Sequence, residues 1–146
     1  MNDGTAIETG RTGRIVYTRV KPNEDLVLGI EKVCLREGLW RGFIRGSLGS
    51  LTDACVTVAE GRERLLRGPA VEVVGLSGEI RPDASGNPVA SLSGLLCAPD
   101  GTMAGGRFVR GQNPVCVTFE LVIEEWLVDG IGVVAEIREG VDGQAA

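Results

Sequence analysis

Val115-Cys116-Val117-Thr118-Phe119-Glu120-Leu121-Val122-Ile123-Glu124 is the stretch that decides the fold. Val115, Val117, Phe119, Leu121 and Ile123 alternate with Cys116, Thr118, Glu120, Val122 and Glu124, so an extended chain presents one strongly apolar face to a core. A strand of this kind needs partners, and the rest of the sequence supplies them. Working outward, β-branched runs between turn residues predict strands at Arg14 to Val20, Trp40 to Gly46, Thr52 to Glu60, Ala70 to Ile80, Val89 to Cys97 and Met103 to Arg110, with Gly132 to Ile137 as a weaker eighth. Pro82-Asp83-Ala84-Ser85-Gly86-Asn87-Pro88 and Pro99-Asp100-Gly101 are turn chemistry, and they make the strands on either side hairpin partners. In Ala70 to Ile80, Val71 and Val73 fall on one side and Val74, Leu76 and Ile80 on the other, so both faces of that strand are expected to be covered.

One segment has helical spacing. Across Asn23 to Glu37, Leu26, Ile30, Val33 and Cys34 share a face; Asn23 is placed to cap, Glu24 and Asp25 suit the positive end, and Gly38 terminates. The class is α+β: a largely antiparallel sheet of about seven strands with one main packed helix. At 146 residues the chain holds one domain. Its expected limits are residues 13–138, between flexible termini at residues 1–12 and 139–146.

Composition removes whole classes of chemistry. The chain has no histidine, which excludes Ser-His and Cys-His catalytic pairs and imidazole metal ligands. No apolar run approaches the roughly 20 residues that span a bilayer, and the N-terminus lacks the pattern of a signal peptide, so a cytoplasmic protein without membrane contact is expected. The net charge of −5 speaks against direct DNA binding. All basic residues except Lys21 and Lys32 are Arg, which fits either genome composition or anion recognition. Cys34, Cys55, Cys97 and Cys116 are far apart in apolar contexts and read as buried, reduced thiols.

Three segments, in order and at their spacing, resemble the plants and prokaryotes conserved (PPC) domain. The first is Gly46-Ser47-Leu48-Gly49-Ser50-Leu51 followed by Ala54, which looks like that family's Ser-Gly-x-Gly-Ser-Leu turn with its first two residues transposed. The second is Val71-Glu72-Val73-Val74-Gly75-Leu76-Ser77-Gly78, which departs from the family strand at Val71 and Gly75. The third is Gly105-Gly106-Arg107-Phe108-Val109-x-Gly111, followed by Asn113-Pro114-Val115. The resemblance covers roughly Gly13 to Trp126. It implies an α+β fold assembled as a homotrimer, and a DNA-binding designation that would rest on family likeness alone.

Many prokaryotic members carry a His-x-His pair and a further His that together hold a divalent metal. The matching positions here are Ser91, Ser93 and Arg107, a set with two neutral hydroxyls and a fixed positive charge, so no metal and no cofactor are expected. Ser91 and Ser93 lie on one face of their strand, opposite Ala90, Leu92 and Leu96. With Arg107 on a neighbouring strand they form a candidate site for a small anion. Glu72, inside an apolar strand, requires a partner, and an ion pair with an Arg, within the chain or across subunits, is its expected role. The Gly46 to Ser50 segment is expected to be a tight turn and not a phosphate loop, because no helix opens after it. Trp40 and Trp126 read as core or interface residues, and Arg62, Arg64 and Arg67 as a solvated loop. The leading expectation is a non-catalytic homotrimer that binds a partner protein or a small anion. The alternative is an enzyme or degenerate enzyme acting on a small anionic ligand through Glu72, Ser91, Ser93 and Arg107.

Overall fold

The alternating stretch at Val115 forms the longest strand, β8 (Val115–Val128), which lies inside the sheet between β1 (Gly10–Val20) and β2 (Gly42–Leu51). The computed structural model describes residues 7–130. The other strands are β3 (Ala54–Thr57), β4 (Glu63–Leu66), β5 (Val71–Pro82), β6 (Pro88–Cys97) and β7 (Met103–Phe108). They join one sheet in the order β1-β8-β2-β5-β6-β7-β3-β4, and every pairing is antiparallel. Among the described residues one α-helix, α1 (Leu26–Glu37), covers one face.

Both predicted hairpin turns are present. Asp83 accepts from the Ser85 and Asn87 N–H groups between β5 and β6, and Asp100 accepts from Thr102 N–H between β6 and β7. Gly86 and Gly101 supply the left-handed dihedrals, φ 83° and 87°. Strand β4 was expected to be loop. Only Leu66 of its four residues is buried, which leaves no period to read. Strand β1 begins at Gly10, four residues earlier than expected, and the expected strand at Gly132 to Ile137 lies outside the described residues.

Asp25, not Asn23, caps α1: its Oδ1 accepts from Leu28 N–H at 2.9 Å. Asn23 instead takes a left-handed conformation, φ 66°, and donates its N–H to the Val115 carbonyl. The reason is tertiary, because the chain entering the helix is stitched to residues 113–115 and the cap must follow that stitch. Gly38 ends the helix as expected, φ 64°. Leu26, Val27, Ile30 and Cys34 share one buried core with Phe119, Leu121, Ile123 and Leu92 of the sheet. A Cβ at Gly29 would lie 2.5 Å from Val20, so the missing side chain sets how closely helix and sheet approach.

Two bulges overturn expectations drawn from strict alternation, and one segment expected as a turn is strand. In β5 the register to β6 shifts between Val73 and Gly75, and this bulge at Val74 reverses the alternation. Val71, Val73 and Ile80 therefore share the core face, while Val74 is 60% exposed; one face of the strand is covered, not two. In β8 the register to β2 shifts between the Gly49 and Leu51 pairings, which places Val117 in a bulge at 70% exposure. The Gly46 to Ser50 segment is strand and not a tight turn: Gly46 pairs with Val122 and Gly49 with Phe119. Gly49 serves close approach, since a Cβ there would sit 2.6 Å from the Phe119 ring.

Ion pairs lace β8 to its neighbours. Arg14 forks onto Glu125 with two 2.9 Å contacts, Arg19 meets Glu120 at 2.8 Å, and Arg45 meets Glu124 at 2.8 Å. These contacts hold all three carboxyls below the ordinary range: Arg14 for Glu125, Arg45 then Thr12 for Glu124, and the Tyr17 hydroxyl then Arg19 for Glu120. A carboxyl with a depressed folded pKa binds its proton more readily when unfolded. Its contribution is complete above the unfolded value, about 4.3, and is lost as pH falls through the folded value. The melting temperature should therefore hold steady down to about pH 5 and fall below about pH 4.5, and Glu125→Gln should flatten part of that fall. Melting curves between pH 3 and pH 8 test this, and a rise on acidification would contradict it.

Candidate functional site

The face of the sheet turned away from α1 carries the residues singled out by sequence. Ser91 and Ser93 are exposed on β6 while Ala90, Leu92 and Leu96 are buried, as the alternation required. Ser93 lies directly opposite Arg107 of β7, so the two residues are neighbours on one face of the sheet. Ser91 is opposite Glu79 of β5, whose carboxylate pairs with Arg81 at 3.3 Å. Arg107 makes no ion pair among the described residues.

Glu72 does not join this group. It is exposed and lies opposite Cys97, four residues along β6 from Ser93, a separation of roughly 13 Å at ordinary strand rise. It makes no ion pair among the described residues, so the expected salt bridge within the chain is absent. Glu72 lies between buried Val71 and Val73 on the open outer face of the strand, where a carboxylate meets water and needs no partner.

Sequence reasoning missed two residues of the site. Ser77 of β5 is opposite Ser93, and Thr57 of β3 is opposite Arg107. Ser77 had been read only as part of a strand motif and Thr57 not at all. Their convergence depends on strand order and register, for which a single sequence carries no signal.

The positions that the family likeness assigns to metal ligands hold two serines and an arginine, and they sit side by side. A guanidinium directly opposite one hydroxyl repels a divalent cation, and neutral hydroxyls compensate poorly. Among the described residues no three His, Cys, Asp or Glu side chains cluster as metal ligands. The donor set does not fit a metal.

The motif glycines divide by role. Gly78 and Gly106 have no room for a Cβ, with backbone atoms 2.4 Å and 2.5 Å away, whereas Gly46 and Gly75 face open space. Gly105 has only ordinary contacts, and Gly111 turns the chain with φ 83°. Ser50 is buried and Leu76 packs against the core. Cys34 and Cys55 are buried, and burial pushes the Cys34 thiol up to about 12; Cys97 and Cys116 are half-buried, less enclosed than their apolar context implied. Trp126 packs edge-on against Phe43 at 6.1 Å, while Trp40 is 45% exposed. Arg64 is in β4 and Arg67 meets Asp53 at 3.5 Å, so the expected arginine loop is partly strand.

The same face also carries exposed apolar side chains. Tyr17 of β1, Leu48 of β2, Val74 of β5, Leu95 of β6 and Val117 of β8 are between 44% and 70% exposed. Around Tyr17, Gly46, Leu48 and Val122 the surface dips into a hollow of about 310 Å³.

A model of the Plants and Prokaryotes Conserved (PCC) domain matches residues 7–127. Among solved structures, a hypothetical protein of Salmonella cholerae-suis superposes with a TM-score of 0.69 at 26% identity, over 81% of this chain and 80% of that one. A metal-containing protein of Archaeoglobus fulgidus gives 0.72 at 20% identity over 85% and 87%, and a plant- and prokaryote-conserved protein of Pyrococcus horikoshii gives 0.68 at 24% over 84% and 83%. A 70-residue stretch, 48% of the chain, is 31% identical to the bifunctional protein GlmU of Synechococcus sp. (strain JA-3-3Ab) and spans 11% of that protein's length.

Proposed function

Because the chain belongs to the Plants and Prokaryotes Conserved domain family, we propose that it is a non-catalytic binding module that assembles as a homotrimer through the β1-β8-β2 part of its sheet's outer face. The exposed apolar face carries this reading. An antiparallel sheet that meets water on one side places polar residues there. This one places Tyr17 of β1 and Leu48 of β2 on that side beside one hollow, apolar surface of the kind that marks an interface. The trimeric stoichiometry comes from the family likeness.

The family's metal site is lost in this chain, a reading supported by the Ser91, Ser93 and Arg107 donor set. The net charge of −5 supports assembly and ligand binding without direct contact to DNA. For the enzyme alternative, Glu72 is the only acid or base among its four actors, and its placement opposite Cys97 keeps it from the rest.

Native mass spectrometry of the gently purified protein tests the proposal. The expected species has three times the 15.4 kDa chain mass and carries no divalent metal. Leu48→Asp, which buries a charge in the interface, should shift the population to the single chain while leaving its circular dichroism unchanged. A native protein that is already a single chain at about 10 μM, far above the dissociation constant of a stable assembly, would overturn it.

A further inference from the structure

Directly opposed residues of neighbouring strands share a face, and one such line crosses four strands of the outer surface. Ser77 of β5 is opposite Ser93 of β6, Ser93 is opposite Arg107 of β7, and Arg107 is opposite Thr57 of β3. Their sequence neighbours Leu92, Phe108 and Val56 are buried, so the four side chains turn away from the core. The line therefore holds three hydroxyls and one guanidinium; the first carboxylate on it is Glu63 of β4, beyond Thr57.

The next line along the same face is Gly75, Leu95 and Gly105. Two glycines thus flank one leucine, and a Cβ at Gly75 would meet nothing within 4 Å. The surface sinks here into a groove of about 420 Å³ lined by Gly75, Leu76, Ser77, Ser93, Gly94 and Leu95. Polar donors stand along one side and an apolar floor lies beside them.

We propose that this groove binds a phosphate monoester, with the phosphoryl group on Arg107, Ser93 and a flanking hydroxyl and the ester's apolar body over Leu95 between the two glycines. A phosphoryl group offers three terminal oxygens at the corners of a tetrahedron to a line that supplies a forked guanidinium and hydroxyls on both sides of it, whereas a carboxylate's two oxygens lie in one plane and carry less negative charge. The glycines fit because each omitted side chain gives the body room beside Leu95. The inference deepens the binding-module reading and does not depend on the number of subunits.

Titration calorimetry of the full-length protein with phenyl phosphate, benzoate and inorganic phosphate tests it, with the assembly mass read on the same sample. Phenyl phosphate should bind most tightly, inorganic phosphate more weakly for want of a body, and benzoate more weakly for want of oxygens. Arg107→Ala should weaken phenyl phosphate at least about tenfold, the loss of a charged hydrogen-bonding partner. Gly75→Val, placed where the structure has free space, should reduce phenyl phosphate to the affinity of inorganic phosphate. Absence of phenyl phosphate binding, or binding untouched by Arg107→Ala, would overturn the groove even with the assembly intact. Loss of assembly with binding retained would overturn the interface and leave the groove standing.

Discussion

Asn113→Ala should cost about 3 kcal/mol and lower the melting temperature by about 10 °C. Asn113 is fully buried, and its side chain makes three hydrogen bonds inside the protein. Oδ1 accepts from Cys55 N–H at 2.8 Å, while Nδ2 donates to the carbonyls of Cys55 at 3.0 Å and Val109 at 2.8 Å. Its backbone N–H donates to Asp25 Oδ2 at 2.8 Å, and its carbonyl accepts from Leu26 N–H at 2.9 Å. One residue thus ties β3, the turn after β7 and the start of α1. Alanine removes all three side-chain bonds and leaves a space with no acceptor for Cys55 N–H, the condition under which loss of a hydrogen bond is most costly. Asn113→Asp should be no milder, because it keeps the shape and the acceptor but loses the amide donor and buries a carboxyl. Urea denaturation of both variants measures the effect. A loss under about 1 kcal/mol for alanine would mean that water replaces the amide.

The second large effect separates two glycines that look equivalent in sequence. Gly49→Ala would place its Cβ 2.6 Å from Phe119 Cδ2 and 2.7 Å from the Thr118 carbonyl oxygen, and Phe119 is fully buried with no room to retreat. A loss of about 3 kcal/mol or more is expected, at the upper end of overpacking. Gly46→Ala, three residues earlier on the same strand, meets nothing within 4 Å and should change stability by less than about 0.5 kcal/mol. Equal losses at the two positions would show that the segment needs glycine for its dihedrals and not for the approach of β2 to β8.

The comparison of these two glycines shows what a sequence conveys and what it withholds. Alternation from Phe119 to Glu124, turn chemistry at Asp83 and Asp100 and the helical stripe of α1 are local, and each was legible because a few adjacent residues carry the whole signal. Gly46 to Ser50 was misread because glycine serves tight turns and close strand approach alike, and only the partner, Phe119, tells them apart. Val74 was misread because a single bulge reverses every later assignment on β5, and bulges have no reliable mark in composition. At the candidate site, Ser91, Ser93 and Arg107 were found by matching positions, and the structure brought Ser93 and Arg107 together. Ser77 and Thr57 joined them only through register. Glu72 left the set because the distance along a strand is fixed at about 3.3 Å per residue, whatever the chemistry would prefer.

The position of β8 also bears on how the chain acquires its structure during synthesis. This last described strand lies between β1 and β2, and Gly10 pairs with Val128. Until the ribosome has released the segment that begins at Val115, the first two strands have nothing to join them and their inner edges stand open. Contacts at such sequence separation form late and carry a large loop-closure cost. The nascent chain therefore waits, with β5, β6 and β7 able to pair as local hairpins while β1 and β2 remain unzipped. Strand β8 acts as a keystone, and its emergence and the closure of the sheet become nearly the same event.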